Sequence, residues 1–401
     1  MSRVRRPFDI VHVAHTSFPD DPRPRREVMA AAEAADRVAI VVLRDGSDPR
    51  PVGHRGRVAV IRLPGRRRRG SLGKYLVEYT DFVVRVHALF RRDERFRGAR
   101  VVHVHSLPDF LIAGILPARR RGARTILDLH EIFPEFTRTK LGGAVGAGAA
   151  RVARWLERWS RRQADVTVTV NRPIAAALRA REARPQERIE VLHNLADPAE
   201  FGPPRAPAET AGQPVRLVYH GTLTGMYGLE VAVDAVAAAR ASGLDVTFDL
   251  YGSGPDTALL ASRIARLGIG QAVRLRGTLG HEQLRDRLVS YHAGLVPTRL
   301  NVMTRYSLST KLLEYIHLGI PLIAPRIPTY LEYVPEECAW YFEPGRADDA
   351  SRAIAAFAAA PPAERVARAE RAQAALASLT WPAEAARLRE LYRELLAAQP
   401  R

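Results

Sequence analysis

The amino-acid sequence predicts an α/β protein that contains two doubly wound parallel sheets. Short apolar runs rich in β-branched residues alternate with longer amphipathic segments, which is the pattern of strand–helix–strand units. Residues 194–211, rich in Pro, Ala and acidic residues, interrupt this alternation, which starts again after them. The length of 401 residues suits two domains of roughly 150–200 residues each.

The first half contains a series of apolar runs that we predict to be strands. In chain order they are Asp9–Ala14, Val38–Leu43, Val58–Arg62, Val101–His105, Thr125–Asp128, Val166–Val170 and Ile189–Leu192. The segments between them are longer and amphipathic, as crossover helices between parallel strands are. We therefore place a Rossmann-like domain at residues 1–198 and a linker at residues 199–212.

A second series of apolar runs follows the linker and defines a second Rossmann-like domain at residues 213–380. These predicted strands are Val215–Tyr219, Val246–Tyr251, Val273–Arg276, Gly294–Val296, Leu322–Ala324 and Ala339–Phe342. Open parallel sheets bind ligands at the carboxyl ends of their strands, so we expect the two domains to face each other across a ligand cleft.

The final segment, about residues 381–401, is predicted to be an amphipathic helix. Its apolar stripe has the spacing of one helix face and consists of Leu388, Leu391, Tyr392 and Leu395. This segment comes too late in the chain to continue the second sheet. We expect it to pack back onto the first domain.

The composition predicts a soluble, cytoplasmic protein. Apolar residues make up 47% of the chain and charged residues 26%, which is typical of a globular protein. The single cysteine, Cys338, has no partner for an internal disulfide, and no Cys and His spacing typical of a metal site occurs. The first residues, MSRVRRPFDIVHVAH, are predicted to form a first strand and not a signal peptide, and we find no apolar run of about 18 residues that could span a bilayer.

The net charge of +18 admits nucleic acid, an anionic membrane surface or a phosphorylated ligand as partners. The chain has only three lysines, Lys74, Lys140 and Lys311, so nearly all of this charge is arginine. Such a skew is typical of coding bias, and a single arginine therefore carries little functional information. A lysine is unusual in this chain.

The most informative segment is residues 294–333, GLVPTRLNVMTRYSLSTKLLEYIHLGIPLIAPRIPTYLEY. After a strand and a polar loop, the hydroxyls of Ser307, Ser309 and Thr310 are placed to cap a helix over Lys311–Leu318. The first N–H groups of a helix, with its partial positive charge, favour an anion. The segment therefore predicts an anion site.

Lys311 and Glu314 lie one turn apart on the same face of this helix. The helix dipole disfavours a cation in the first turn, so a lysine there indicates a bound anion that compensates for it. The carboxylate of Glu314 can accept hydrogen bonds from the neighbouring hydroxyls of a ribose. The pair fits a nucleotide diphosphate. The alternative is a solvated surface ion pair, which contributes at most about 0.5 kcal/mol.

The same segment resembles the signature of glycosyltransferase family 4, in which Lys–x–x–Glu–Tyr is followed by Gly–x–Pro and a short strand. Further segments resemble the family in the same order over most of the chain. They are FPDDPRPRREV, with Asp21, Pro22, Arg23, Arg25 and Arg26, then HVHSLPDFLIAGIL with TILDLHEIFPE, VLHNLAD, VYHGTL, YGSGP and VRLRGTL. The resemblance implies the GT-B fold, a nucleotide-sugar donor and transfer with retention of configuration.

By this resemblance the second domain binds the donor and the first domain faces the acceptor. The implied donor-binding residues are Gly221, Thr222, Arg276, Gly277, Arg299, Ser307, Ser309, Thr310, Lys311, Leu312 and Glu314. Glu314 would hold the ribose, Lys311 and the neighbouring amides the diphosphate, and Arg276 with Gly277 the base. His130 of the first domain would reach the transferred sugar, and His130 and Lys311 are the candidate catalytic residues.

The sequence departs from the family at two places that affect the donor. Many members have a glutamate eight residues before the one matched by Glu314, and Tyr306 occupies that position here. In the family this glutamate holds sugar hydroxyls, so the identity of the sugar stays open. The basic pair that many members carry in the first loop of the second domain is also absent. Stabilisation of the leaving group then depends on Lys311, with Arg299 and Arg305 in reserve.

We expect no metal ion and no other cofactor. Asp20–Asp21 and Asp348–Asp349 are adjacent pairs, whereas a metal-binding motif of this enzyme class has the alternating form Asp–x–Asp. Preorganised cations and helix amides can stabilise a leaving diphosphate without a metal. His130 is interpreted as a sugar or acceptor contact, the alternative being a structural hydrogen bond, and His103 and His105 are interpreted as structural.

The first half carries arginine clusters, among them residues 66–69, and a basic amphipathic segment, Arg151–Arg162. That segment is predicted to place four apolar residues on one face, namely Val152, Trp155, Leu156 and Trp159. Such a helix can lie on an anionic membrane, and the alternative is a core helix with a solvated arginine face. We therefore expect a glycan or lipid-linked acceptor, a role in cell-envelope polysaccharide biosynthesis and peripheral association with the inner membrane face.

Two other classes of function stay open at this stage. The fold also serves sugar-nucleotide epimerases and phosphorylases, and an epimerase would turn over a nucleotide sugar without an acceptor. An arginine-rich nucleic-acid-binding protein fits the charge alone, because no stacked aromatic pattern, zinc spacing or recognition helix occurs. We expect no nucleic-acid partner. The sequence does not specify the base, the sugar, the acceptor or the oligomeric state.

Overall fold

The structure is a computed structural model that describes residues 6–44, 52–65, 72–181, 186–207 and 214–399. The chain divides into two compact units, Met1–His193 with Pro382–Arg401, and Asn194–Trp381. Residues 194–198, which the sequence assigns to the first domain, therefore belong to the second unit. The arginine run at 66–69 and the linker residues 208–212 lie outside the described residues.

The N-terminal unit is built on an eight-stranded sheet. Its strands are β1 (Ile10–Ala14), β2 (Val38–Leu43), β3 (Val52–Arg55), β4 (Val58–Leu63), β5 (Val101–His105), β6 (Arg124–Leu129), β7 (Val166–Thr169) and β8 (Arg188–Val191). They are ordered β3-β4-β2-β1-β5-β6-β7-β8 across the sheet. All neighbours are parallel except β3, which pairs antiparallel with β4 at the edge.

Helices connect these strands. They are α1 (Pro22–Ala34), α2 (Leu72–Arg92), α3 (Glu94–Arg97), α4 (Leu116–Arg119), α5 (Phe133–Leu141), α6 (Gly143–Gln163) and α7 (Arg172–Ala180), with a 3₁₀ helix at Asp109–Ile115. Every residue of β1 and β2 is buried, because crossover helices cover both faces of a parallel sheet.

The C-terminal unit has a six-stranded sheet in the order β11-β10-β9-β12-β13-β14, and all neighbours are parallel. The strands are β9 (Val215–His220), β10 (Val246–Tyr251), β11 (Val273–Gly277), β12 (Ala293–Leu295), β13 (Leu322–Pro325) and β14 (Trp340–Phe342). The helices are α8 (Pro198–Phe201), α9 (Leu229–Ala241), α10 (Thr257–Arg266), α11 (His281–Leu288), α12 (Thr310–His317), α13 (Pro328–Tyr333), α14 (Ala347–Ala359) and α15 (Pro362–Ala375). The strand order reverses between β9 and β12, and ligands bind such sheets at this switch point.

The predicted fold class, two doubly wound parallel sheets, is confirmed. Every strand predicted from the sequence is present, with ends that differ by one or two residues at most. Only β3 was missed. Its sequence, VGHR, has no apolar run because it is a short edge strand.

The last helix, α16 (Trp381–Ala397), packs on the N-terminal unit. The predicted apolar stripe is buried in full, namely Leu388, Leu391, Tyr392 and Leu395. The hydroxyl of Tyr392 lies 2.8 Å from Nδ1 of His103 on β5. At the start of the helix, Glu384 lies 2.6 Å from Nδ1 of His193, the last residue of the unit's first segment.

Helix α6 includes the basic amphipathic segment for which the sequence leaves a membrane surface and a core position open. Trp155 and Val152 are each 59% exposed, while Ala150, Ala153 and Glu157 face the interior. The interior side carries small residues and the buried pair Glu157 and Arg161, so Val152 and Trp155 are left outside, while Leu156 and Trp159 are half-buried. Among the described residues, no helix combines the length and apolar character needed to cross a membrane.

Candidate functional site

Lys311, in the first turn of α12, is almost completely buried, with 8% of its surface exposed. Its Nζ lies 4.0 Å from the ring centroid of Tyr227 and 5.4 Å from that of Tyr219, so two aromatic rings stabilise the cation. Burial lowers the pKa of Lys311 to about 8, although the carboxylate of Glu314 opposes this shift. The ammonium group is therefore poorly solvated, and a bound anion would stabilise its charge.

The loop after β9 passes directly over this lysine. Gly221 has a φ of +114°, which residues with a side chain rarely adopt. A Cβ atom on this residue would lie 2.6 Å from Cε and 3.3 Å from Nζ of Lys311. Glycine is needed here both for its backbone conformation and for the close approach. Thr222 follows in the same loop and is exposed.

Glu314 lies on the same helix, and its Oε2 is 3.1 Å from Nε2 of His220, the last residue of β9. His220 is buried, and its ring meets the ring of Tyr315 edge-on at 5.1 Å. The Glu314 side chain remains 16% exposed. His220 is not among the site residues predicted from the sequence, where its one signal is its position directly before Gly221.

The start of α12 differs in one detail from the prediction. Ser309 occupies the N-cap position, but its side chain makes no capping hydrogen bond, so the side-chain cap predicted from Ser307, Ser309 and Thr310 is wrong. The amide of Leu313 donates to the Ser309 carbonyl at 3.4 Å. The N–H groups of residues 310–312 precede it and have no partner within the helix, so they can bind an anion.

Glycine backbones join the ends of β9, β10 and β11. The amide of Gly252 donates to the carbonyl of Gly277 at 2.7 Å, and the amide of Gly221 donates to the carbonyl of Tyr251 at 2.9 Å. A Cβ on Gly252 would lie 1.9 Å from the carbonyl oxygen of Gly221. The loop at Gly277 is thus in the same row of strand ends as the loop over Lys311.

The side chain of Arg276 pairs with Asp249 and not with the row of strand ends. Its Nε lies 3.1 Å from Oδ1 of Asp249 on β10, and the Asp249 Oδ2 accepts a hydrogen bond from the hydroxyl of Tyr291 at 2.5 Å. These three residues line a cavity of about 500 Å³ on the sheet face, with further arginines from β9, β11 and α11. Of the predicted base-binding pair, only the backbone lies in the row of strand ends.

Arg299 and Arg305, which the sequence suggests as further cations for the leaving group, also have partners of their own. Arg299 forms an ion pair with Glu230 of α9. The guanidinium of Arg305 lies 5.3 Å from the ring centroid of Tyr306, and its carbonyl accepts the hydroxyl of Thr329. The structure thus brings Lys311, Glu314 and Gly221 together, and in the described part of the chain no contact joins either arginine to Lys311.

In the N-terminal unit, His130 directly follows β6. Its Nε2 lies 2.9 Å from Oδ2 of Asp128, its backbone N–H donates to Oγ of Ser106 at 3.3 Å, and 23% of its side chain is exposed. Asp128 is completely buried and accepts hydrogen bonds from Arg23 at 2.7 and 2.8 Å. Burial alone would raise the pKa of Asp128, but Arg23 and His130 hold it well below its usual range.

Four side chains beside this site are close enough to share one ion among the residues that the structure describes. They are Glu27, His103, His105 and Asp128, whose ligand atoms lie within 4.8 Å of one another. However, the rings of His103 and His105 are stacked, with planes 13° apart and centroids 4.5 Å apart. An imidazole binds a metal in the plane of its ring, and one ion cannot lie in both planes. We therefore interpret the cluster as a group of buried charged and polar side chains around Arg23, which pairs with Glu27 at 3.0 Å and with Asp128 at 2.7 Å.

Comparisons with known families cover most of the chain. Residues 22–194 match the Glycosyl transferase 4-like domain, and residues 214–359 match Glycosyl transferases group 1. The chain belongs to glycosyltransferase family 4. This confirms the resemblance found in the sequence motifs, and the protein is a transferase enzyme.

One relative of this glycosyltransferase is the phosphatidylinositol N-acetylglucosaminyltransferase gpi3 subunit of Schizosaccharomyces pombe. The two are 22% identical over 261 residues, which cover 65% of this chain and 54% of the relative. The match thus spans about half the length of that protein.

Solved structures of other glycosyltransferases share the GT-B fold. Sucrose-phosphate synthase from Thermosynechococcus elongatus is 18% identical with a TM-score of 0.77, over 98% of this chain and 100% of that one. HepE of Anabaena in complex with UDP is 14% identical with a TM-score of 0.68, over 96% and 100%. Trehalose-6-phosphate synthase from E. coli, bound with UDP-2-fluoro glucose, is 14% identical with a TM-score of 0.71, over 98% and 100%. At these identities the likeness shows the fold alone.

Proposed function

We propose that this glycosyltransferase moves a sugar from a nucleotide-diphosphate sugar to a glycan, lipid-linked or small-molecule acceptor, with retention and without a metal ion. The proposal rests on one observation above all. The buried side chain of Lys311, in the first turn of α12, packs against the backbone of Gly221 in the loop after β9. The UDP and UDP-2-fluoro glucose named for two similar structures support a nucleotide-sugar donor. Retention follows from the family resemblance.

The chemical demand is to break the bond between the anomeric carbon and a diphosphate oxygen. Negative charge grows on that oxygen as the bond lengthens. The acceptor oxygen takes its place on the sugar, and the acceptor proton passes to the departing diphosphate. Lys311 and the amides of residues 310–312 supply positive charge for the leaving oxygen. A cation that is already in place in a water-poor site stabilises such charge more strongly than solvent does.

Glu314 is proposed to hold the ribose of the donor. Its side chain is 16% exposed beside His220, and a carboxylate can accept hydrogen bonds from two neighbouring hydroxyls. Gly221 and Thr222 let the backbone approach the phosphates, and the loop at Gly277 borders the base. Because Arg299 is already paired with Glu230, we assign the leaving group to Lys311.

The donor is tested by thermal unfolding in the presence of a panel of nucleotide-diphosphate sugars. The matching donor at 100 times its Kd should stabilise the protein by about 2.7 kcal/mol. Transfer is then measured with that donor and candidate acceptors, and the anomeric configuration of the product is read by NMR. A chelator should leave the rate unchanged. Conversion of the sugar without an acceptor would replace the transferase proposal with an epimerase.

For the acceptor we propose a lipid-linked molecule at the inner face of the membrane, in the synthesis of a cell-envelope polysaccharide. The outer face of α6 exposes Val145, Val152 and Trp155 by 71%, 59% and 59%, with Arg151 and Arg154 beside them. Such a surface suits an anionic membrane. The name of the gpi3 relative also includes the lipid phosphatidylinositol.

Sedimentation with vesicles at low salt tests this surface. We expect binding to anionic vesicles, weaker binding to neutral ones, and loss of binding in Trp155→Ala but not in Arg352→Gln, an exposed residue of the other unit. Failure of the protein to bind anionic vesicles would contradict the membrane proposal, and it would not affect the proposal of sugar transfer.

A further inference from the structure

His130 uses only one of its two ring nitrogens within the protein. Nε2 lies 2.9 Å from the Asp128 carboxylate, and among the described residues no hydrogen bond reaches Nδ1. An ionised carboxylate accepts hydrogen bonds and donates none, so Nε2 must carry the proton. In a neutral ring, Nδ1 then has a free lone pair and acts as an acceptor.

Asp128 itself cannot turn, because Arg23 holds both of its oxygens. The guanidinium donates to Oδ2 through Nε at 2.8 Å and to Oδ1 through a terminal nitrogen at 2.7 Å. The other terminal nitrogen of Arg23 donates to the carbonyl of Leu192 at 3.0 Å, and its Nε also lies 3.0 Å from Glu27. Arg23 is only 4% exposed, so this geometry is fixed by packing.

A chain of buried neutral groups approaches Asp128 from the other side. The Tyr392 hydroxyl lies 2.8 Å from His103 and 3.3 Å from His12, His12 lies 2.9 Å from His105, and His105 lies 3.3 Å from Asp128. Burial lowers the pKa of all three histidines, which therefore stay uncharged. Hydrogen bonds connect these groups as far as His105, whose Nδ1 faces the Asp128 carboxylate.

We propose that Arg23 and Asp128 are positioning residues that hold His130 as the Nε2–H tautomer, so that Nδ1 accepts a hydrogen bond from a hydroxyl of the bound sugar. The hydroxyl contact rests on the proposed function, whereas the tautomer does not. A histidine with the opposite tautomer would present N–H at this position and could only donate to the hydroxyl oxygen, so the hydroxyl proton would lose its acceptor.

The tautomer is measured directly by NMR of protein labelled with ¹⁵N in its histidines. The signals of His130 are assigned by their loss in His130→Gln. We expect a protonated Nε2, whose proton exchanges slowly with solvent, and an unprotonated Nδ1. A proton on Nδ1, or rapid exchange between the two tautomers, would overturn the proposal whatever reaction the enzyme catalyses.

Two variants connect the tautomer to transfer. In Asp128→Asn the new amide can donate to His130 and should move the proton to Nδ1, so kcat/KM should fall about 3- to 10-fold, the value of one neutral hydrogen bond. Affinity for the nucleotide diphosphate, which the C-terminal unit holds, should not change. His130→Gln keeps a donor for Asp128, so its Tm should stay near that of the wild type while kcat/KM falls by a similar factor.

The two proposals fail in different ways. Full transfer activity in His130→Gln would overturn the hydroxyl contact even if sugar transfer is established. An Nε2–H tautomer in a protein that transfers no sugar would keep the positioning role of Arg23 and Asp128 and remove the proposed function.

Discussion

Lys311 lies against the backbone of Gly221 so closely that a Cβ atom on the glycine would come within 2.6 Å of the lysine Cε. The loop after β9 and the first turn of α12 are therefore coupled, and the loop determines where the ammonium group points. The two sides of this contact come after β9 and after β12, which are neighbours in the sheet but are not consecutive in the sequence.

Gly221→Ala should destabilise the C-terminal unit more than an ordinary substitution of a glycine with positive φ. Gly243 has a φ of +89° with no atom near its Cβ position, so Gly243→Ala is the matched control and should cost about 1–2 kcal/mol of backbone strain. Gly221→Ala adds the overlap with Lys311, about 1–3 kcal/mol more. Denaturant unfolding measures both. Equal losses of stability in the two variants would show that Lys311 moves away from the new Cβ atom at no energetic cost.

The pH dependence of donor use should reveal the titration of Lys311. Its pKa is lowered to about 8 mainly by burial, so the free enzyme loses this positive charge as the pH rises through that value. We expect kcat/KM for the donor to fall above pH 8. Lys311→Ala should lower turnover by roughly ten- to a thousandfold and should lack this alkaline fall. The same fall in the variant would assign the titration to another group.

The role of Glu314 can be isolated with a nucleotide that lacks ribose hydroxyls. The wild type should bind a 2′,3′-dideoxynucleoside diphosphate more weakly than the ribonucleotide, by about 10- to 100-fold for hydrogen bonds to a charged group. Glu314→Ala should bind both with the same, weak affinity, because the coupling between carboxylate and hydroxyls is gone. Glu364→Gln, which breaks a surface pair with Arg368, is the control. If Glu314→Ala still preferred the ribonucleotide over the dideoxynucleotide as strongly as the wild type does, the ribose would bind at another place.

The attachment of α16 depends on a buried hydroxyl. Tyr392→Phe leaves the nitrogens of His103 and His12 without that partner, and it should lower the free energy of unfolding by about 1–3 kcal/mol. Arg393→Gln, next in sequence but exposed, should change it by less than about 0.5 kcal/mol. Unfolding followed by circular dichroism measures both, and a neutral Tyr392→Phe would mean that the network adapts without the hydroxyl.

The fold was predictable because its strands are apolar runs that a helical period cannot explain. Strand β2, Val38–Leu43, was predicted with its exact ends, since all of its residues are buried. The environment of α6 could not be decided from the sequence. Helical spacing identifies an apolar stripe, and only tertiary packing decides whether Trp155 or Ala153 faces the interior.

Part of the site was also accessible from the sequence. Lys311 and Glu314 stand out by their spacing in an arginine-rich chain, and the family motif identifies them independently. The contacts of His220, Asp128 and Arg23 could not be predicted in this way, because their partners are distant in sequence. Arg23 and Asp128, for example, are 105 residues apart. The predicted side-chain cap at Ser309 failed because a residue type that favours a cap does not determine its rotamer.

The most direct test of the central claim is a calorimetric titration of the matching nucleoside diphosphate and monophosphate into the wild type and Lys311→Ala at neutral pH. We predict that the wild type prefers the diphosphate and that the variant loses this preference while it still binds the monophosphate. A preference that survives in Lys311→Ala, or a wild type that binds neither nucleotide, would contradict the account.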